Sequence, residues 1–231
     1  MIQSPALSLP LAVLFDFGGT LDAEGVAWKE RFFRLWCEEV EAIAPDRFAR
    51  AFYAADDALV GAVPPTLTLR ETVERITQGV TREMGASDPA LAGRIAGRFL
   101  DEARERLQAS ALLLSRLSRR YRLGVVSNFY GNLSAVCAEA GLSPFLAVMV
   151  DSVCVGCTKP DARIFQAALA ALSVEPAQAV FVGDSLPRDM AGARGIGMPH
   201  IWLTPKTSGG EESCCPGDRV IHRLEELRQL L

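Results

Sequence analysis

From residue 121 onward the chain repeats one pattern: a short apolar run, a polar or glycine-rich turn, then a stretch of helical period. Runs at 121–127, 145–150, 179–183, 199–203 and 219–221 read as strands. Stretches at 131–140 and 162–172, one from about Arg188 and one ending at Leu231 read as helices. Strands that alternate with helices pair in parallel because each helix carries the chain back over the sheet. An earlier run, Leu11-Ala-Val-Leu-Phe15, is apolar at every position, as a strand covered on both faces must be. Between it and the second strand, from about residue 24 to residue 107, the spacing is helical throughout. Breaks at Pro45, at Gly61 to Pro65 and at Gly85 to Pro89 divide this stretch into about four helices. The expected architecture is α/β: a three-layer, Rossmann-like parallel sheet with helices on both faces, built from residues 1–22 and 108–231. An all-helical cap, residues 23–107, is inserted after the first strand.

Composition narrows the function. Of 231 residues, 49% are hydrophobic and 23% charged, a balance that fills a core and excludes a disordered or fibrous chain. A net charge of −4 supplies no basic field for a phosphate backbone, so a small molecule is the expected partner and nucleic acid is not. The first apolar run is too short to span a bilayer, no secretory signal pattern is found, and a cytoplasmic location without membrane contact is expected. Six cysteines are too few and scattered for a disulfide scaffold. Oligomeric state is not encoded in any pattern we recognise.

Four segments at expected strand or loop ends carry the polar chemistry: Asp16-Phe-Gly-Gly-Thr20-Leu-Asp22, Val126-Ser127-Asn128, Thr158-Lys159-Pro160-Asp161 and Gly183-Asp184-Ser-Leu-Pro-Arg-Asp189. A parallel sheet brings all four to its carboxyl edge, where ligands bind. Together they offer carboxylates, one ammonium, one hydroxyl and backbone N–H groups, an inventory suited to phosphoryl transfer assisted by a hard cation such as Mg²⁺. Only Lys29, Lys159 and Lys206 are lysines, so Lys159 stands out in a chain whose other basic residues are arginine.

These four segments, in this order, resemble the motifs of the haloacid dehalogenase (HAD) superfamily of aspartate-nucleophile hydrolases. The resemblance implies a sheet domain over residues 11–22 and 110–205 and a cap in the helical stretch. It implies Asp16 as nucleophile, forming an aspartyl-phosphate, with Lys159 paired to it and to the phosphoryl group. Thr20, Ser127, Asn128 and Lys159 would serve phosphate binding, with Thr20 orienting the first loop. Asp16, the Gly18 carbonyl, Asp184 and Asp189 would hold Mg²⁺. The implied activity is Mg²⁺-dependent hydrolysis of a small phosphorylated metabolite.

One position departs from the pattern. Two residues after the nucleophile the family's phosphatases carry a second Asp as acid and base, and here Gly18 stands there. Loss of such a group forfeits roughly 10²–10⁴-fold in rate for leaving groups that need a proton. Asp22, Glu24 and Tyr130 are candidate replacements. Alternatives are a phosphate- or metabolite-binding homologue with impaired turnover, and carbon–halogen or carbon–phosphorus hydrolysis. The dehalogenases carry Ser-Asn where this chain has Gly183-Asp184, and Schiff-base chemistry would need Lys29. The aromatic stripe Trp28, Phe32, Phe33, Trp36 reads as cap core or as a lid over the substrate. Cys154 and Cys157 with Cys214 and Cys215 offer four thiolates for zinc, but the second pair lacks the usual spacing. Arg116, Arg119, Arg120 and Arg122 read as a solvated helix end, residues 207–217 as a loop, and His200 and His222 receive no role.

Overall fold

The computed structural model describes residues 10–40, 43–206 and 219–231. Among these the strands are β1 (Ala12–Phe15), β2 (Arg122–Ser127), β3 (Val148–Asp151), β4 (Ala179–Gly183), β5 (His200–Leu203) and β6 (Arg219–Ile221). They form one sheet in the order β3-β2-β1-β4-β5-β6, and every neighbouring pair is parallel. The chain moves outward from β1 through β2 to β3, then returns to the other side of β1 to add β4. The crevice beyond the carboxyl ends of β1 and β4 is therefore a topological switch point.

The helices are α1 (Trp28–Glu39), α2 (Pro45–Asp57), α3 (Leu69–Met84), α4 (Leu91–Leu117), α5 (Leu133–Glu139), the single turn α6 (Ser152–Val155), α7 (Ala162–Leu172), α8 (Ala191–Gly195) and α9 (Leu227–Leu230). All four residues of β1 are fully buried, and side-chain alternation sends them into two cores. Val13 and Phe15 join α5 (Leu133, Val136), the end of α4 (Leu113, Leu114, Leu117) and Leu227 of α9. Ala12 and Leu14 join α7 (Ile164, Phe165, Ala168, Leu169) and Ala193 of α8. The sheet is thus covered on both faces, as its unbroken apolar strands require. No helix of the described residues is long and apolar enough to cross a membrane.

Several elements begin or end away from the positions expected from sequence. The helix α5 starts at Leu133 because the buried Asp151 carboxylate accepts the Gly131 N–H at 2.9 Å and the Leu133 N–H at 3.1 Å, holding the entering loop outside the helix. Residues Ser143–Phe145 form a 3-10 turn at Pro144, so β3 is only Val148–Asp151. An irregular turn at Leu186–Met190 precedes α8. The expected loop at 207–217, with Cys214 and Cys215, lies outside the described residues.

The four helices between β1 and β2 include α3, which opens on a capping box in which Thr68 and Glu71 exchange hydrogen bonds and closes on Gly85 at φ 69°. The fourth, α4, runs unbroken past residue 108, where the sheet domain was expected to resume, because Leu113, Leu114 and Leu117 keep the helical spacing and bury against the sheet.

One buried polar unit joins this helical insertion to β1. Asp22, completely buried, accepts hydrogen bonds from the Gly19 N–H (2.7 Å), Trp28 Nε1 (2.7 Å) and Arg31 Nη1 (2.7 Å). Arg31 also donates to the Phe99 carbonyl at 3.2 Å and lies 3.8 Å from the centre of the Phe99 ring. The unit ties the end of the first loop to α1 and α4. Breaking a buried pair on one side leaves a charge uncompensated, at a cost of about 3–5 kcal/mol, while removing both charges costs much less. Asp22→Ala is therefore expected to destabilise the fold in urea titration by that amount, and Asp22→Ala with Arg31→Met to recover most of it. A double variant no more stable than the single one would show that the pair is not coupled.

Candidate active site

The site is assembled from three strand ends and one loop. The Asp16 carboxylate follows β1, with its N–H bonded to the Val182 carbonyl of β4 at 2.9 Å. Ser127 ends β2, Asp184 follows β4, and Lys159 lies between α6 and α7. Lys159 is 4% exposed, and its Nζ lies 2.6 Å from Asp16 Oδ1 and 2.7 Å from Asp189 Oδ1. The Ser127 hydroxyl donates to the same Asp16 oxygen at 2.8 Å. Asp16 Oδ2 takes no donor from the described residues.

Carboxylate oxygens of Asp16, Asp184 and Asp189 come within 4.8 Å of one another. Three carboxylates and one ammonium, all ionised, would leave two negative charges without a counter-charge in a buried space. Burial, then the charges of Asp16 and Asp189, push the Asp184 carboxyl well above its ordinary range. Asp189 is also raised, chiefly by burial, with Lys159 pulling it down. Burial opposes the Lys159 ammonium, but Asp16 and Asp189 beside it hold its pKa above the usual lysine value. All donors are hard oxygens, so the cluster fits a divalent cation such as Mg²⁺ in charge and chemistry.

Two glycines permit this crowding. A Cβ on Gly19, whose φ is 89°, would stand 2.5 Å from Asp184 Oδ2, and one on Gly183 would stand 2.3 Å from Asp189 Oδ2. A side chain from β5 and a backbone N–H of the loop after β4 then hold the cluster in place. Trp202 Nε1 donates to the Asp184 carbonyl at 2.9 Å, and the Ser185 N–H donates to Asp189 Oδ2 at 3.0 Å. Thr20, expected among the phosphate-binding groups, instead gives its hydroxyl to Asp184 Oδ1 at 2.8 Å and is fully buried outside the cavity lining. The Asn128 side chain clamps the third loop, its Oδ1 accepting the Lys159 N–H at 2.7 Å and its Nδ2 donating to the Lys159 carbonyl at 3.2 Å. Asp161 caps α7 through the Arg163 N–H.

A cavity of about 1110 Å³ opens over the cluster. Asp16, Gly18, Ser127, Asn128, Lys159, Asp184 and Asp189 line its floor, and Trp28, Lys29, Tyr53 and Asp56 of the helical insertion line it from α1 and α2. The backbone at Gly18 (φ −75°, ψ 120°) suits any residue, but an added Cβ would sit 3.3 Å from Trp28 Nε1. The indole thus crowds the space beside Gly18, held there by its bond to Asp22 and by Phe99 and Phe129. Of the stripe, Phe32 and Trp36 are core, with Phe32 stacked on Phe99 at 4.3 Å, while Trp28 belongs to both core and cavity.

The replacements considered for the missing acid are committed elsewhere. Asp22 is consumed by Arg31 and Trp28. Glu24 pairs with Arg106 at 3.1 Å and Arg223 at 3.9 Å, facing a different cavity. The Tyr130 hydroxyl donates to Asp56. Lys29 pairs with Glu30 at 3.1 Å, which raises its ammonium pKa, whereas a Schiff-base lysine needs a lowered one. Cys154 and Cys157 are free thiols, and the other half of the zinc set lies outside the described residues. The rings of His200 and His222 pair with the Met198 and Thr204 carbonyls. Asp56 and Arg188, both on the cavity wall, received no role from sequence: Asp56 belongs to no recognisable spacing, and Arg188 is a side chain of the fourth segment that carries none of its implied roles.

The sequence profile of the haloacid dehalogenase-like hydrolases matches residues 10–197. A phosphoglycolate phosphatase of Rhodospirillum rubrum is 31% identical over 204 residues, covering 85% of this chain and 80% of that protein. Haloacid dehalogenase-like hydrolase domain-containing protein 3 of Mus musculus is 44% identical over 113 residues, covering 47% of this chain; the match spans 44% of that relative's length. A dehalogenase solved as an intermediate complex superposes with a TM-score of 0.67 over 98% of this chain and 99% of its own, at 19% identity, a likeness of fold. With four motifs, three at strand ends and one on a loop, gathered at one switch point and a family profile covering most of its length, this chain belongs to the haloacid dehalogenase-like hydrolases.

Proposed function

We propose that the chain is a Mg²⁺-dependent phosphohydrolase that cleaves a small phosphorylated metabolite through an aspartyl-phosphate on Asp16. The observation that carries this reading is the three-carboxylate cluster of Asp16, Asp184 and Asp189 around the Lys159 ammonium. Two carboxylates beside the nucleophile would repel a carboxylate substrate such as a 2-haloacid, whereas a bound divalent cation turns the same cluster into an anion site. The phosphatase relative in Rhodospirillum rubrum supports the phosphoryl class. The division into a core of residues 1–22 and 108–231 and a cap of residues 23–107 is part of the proposal, as is a cytoplasmic location, which suits the free thiols Cys37, Cys137, Cys154 and Cys157.

Asp16, Asp184 and Asp189, with the Gly18 carbonyl, would hold Mg²⁺. When bound, it would neutralise the carboxylates and the phosphoryl oxygens. Ser127 and Lys159 fix Asp16 through Oδ1 and leave Oδ2 to form the new bond to phosphorus. Lys159 also faces the developing charge on the phosphoryl group, where a preplaced ammonium is worth more than in water. Asn128 keeps Lys159 in position through its backbone.

Phosphate release from acyl, aryl and alkyl phosphates is expected to require Mg²⁺, to stop on chelation by EDTA and to return when Mg²⁺ is restored. Asp16→Asn is expected to reduce it to background. Turnover that is indifferent to EDTA, or that survives in Asp16→Asn, would rule the reading out. A second expectation concerns Gly18→Asp. Because Trp28 is held beside Gly18, the new side chain must displace the indole, so activity is not expected to rise and stability should drop by about 1–3 kcal/mol. A rise in phosphate release at unchanged stability would show that the indole yields freely.

A further inference from the structure

A phosphohydrolase with Gly18 in place of an acid still has to protonate an alkoxide leaving group, and the cavity wall offers few groups for this. Its carboxyls are Asp16, Glu30, Asp56, Asp57, Asp184 and Asp189. Asp16 is the nucleophile, and Asp184 and Asp189 belong to the cation cluster. Glu30 is ion-paired with Lys29 and has a side chain 53% exposed, and Asp57 is exposed. Tyr53 is 43% exposed, and Tyr130 is already a donor to Asp56. Asp56 remains.

Asp56 lies in the last turn of α2 and is half-buried. Tyr130, whose hydroxyl holds one Asp56 oxygen, is two residues beyond Asn128 in the loop that leaves β2. The same loop accepts the Gly61 N–H on the Tyr130 carbonyl at 3.2 Å, and the Tyr130 ring packs 4.8 Å from Phe129 and 6.5 Å from Trp28. Asp56 is thus fastened to the segment that carries the phosphate-binding groups, and its Oδ2 takes no donor from the described residues.

Resting on the phosphoryl-transfer reading above, we infer that Asp56, positioned by Tyr130, is the catalytic acid that protonates the leaving group in place of a residue at position 18. As Asp16 Oδ2 bonds to phosphorus, the bond from phosphorus to the ester oxygen breaks. Its electron pair stays on that oxygen, which takes the Asp56 proton and departs as the alcohol. Water then enters the vacated position, gives a proton to the Asp56 carboxylate and attacks phosphorus, releasing phosphate from Asp16 and restoring both carboxyl groups.

The surroundings suit this role. Burial raises the Asp56 pKa, the Tyr130 hydroxyl and Arg188 from the loop after β4 pull it down, and neighbouring Asp57 pushes it up; the net direction is upward. Burial and the charge of Asp56 raise the Tyr130 hydroxyl well above its ordinary value, so Tyr130 keeps its proton and orients Asp56 instead of serving as the acid.

The test compares Asp56→Asn and Tyr130→Phe with the wild-type protein on p-nitrophenyl phosphate, whose leaving group needs no proton, and on the best primary alkyl phosphate of a panel. Asp56→Asn keeps the size and hydrogen-bonding capacity of the side chain. It is expected to lower kcat/KM, which ends at departure of the leaving group and excludes the later hydrolysis common to both esters, by roughly 10²–10⁴-fold on the alkyl ester and by less than about tenfold on the aryl ester. Tyr130→Phe removes a donor that favours the carboxylate, so the alkaline limb of kcat/KM for the alkyl ester should move to higher pH. Equal losses on both esters, no loss on either, or a limb unmoved by Tyr130→Phe would overturn the assignment. A wild-type protein that cleaves aryl but no alkyl phosphates would overturn it too, leaving the phosphohydrolase reading intact. No Mg²⁺-dependent cleavage of any phosphate would remove both.

Discussion

Lys159 puts a buried ammonium 2.6 Å from Asp16 and 2.7 Å from Asp189, and the carboxyl edge of the sheet is arranged around that contact. An unpaired buried ammonium or carboxylate is costly enough that it would shift to its neutral form. The loops after β1 and β4 and the segment before α7 are therefore held together by mutual compensation of charge. The compensation is incomplete, since three carboxylates face one ammonium. That excess of negative charge suits the edge to a divalent cation, which in the proposed function would make it a site for phosphate.

A second buried unit shapes the cavity above this edge. Asp22, Arg31 and Trp28 fasten the first loop to α1 and α4, and the indole that Asp22 orients also stands beside Gly18. The same side chain thus anchors the insertion and lines the cavity. A Cβ at position 18 would stand 3.3 Å from this indole, so a side chain there asks the indole to give way. In the proposed reaction the proton for the leaving group would come from elsewhere on the cavity wall, where Asp56 and Tyr130 lie.

Much of the site was legible because it follows strand ends. Asp16, Ser127 and Asp184 stand where apolar runs stop, and a parallel sheet places such positions along one edge whatever the details of packing. Lys159 was marked by the rarity of lysine in the chain. What could not be read were partnerships across the fold. Thr20 looked like a phosphate ligand until Asp184, distant in sequence, was seen to take its hydroxyl. Asn128 was expected among the phosphate-binding groups, and its side chain secures the Lys159 backbone. Asp22 and Glu24 looked available for proton transfer until Arg31 and Arg106 were placed beside them.

By itself, the sequence determined the layering of the fold, the four-helix insertion and the strand-end position of the Asp16 segment, because hydrophobic period and turn residues act locally along the chain. Element boundaries already depended on distant partners, as at α5, whose start is set by the Asp151 carboxylate from the end of β3. Only the tertiary structure decided which carboxylates crowd together, which are neutralised, and that Trp28 rather than a carboxylate stands beside Gly18. Electrostatic compensation and steric exclusion operate through space over a few ångströms, and no spacing along a single chain encodes them.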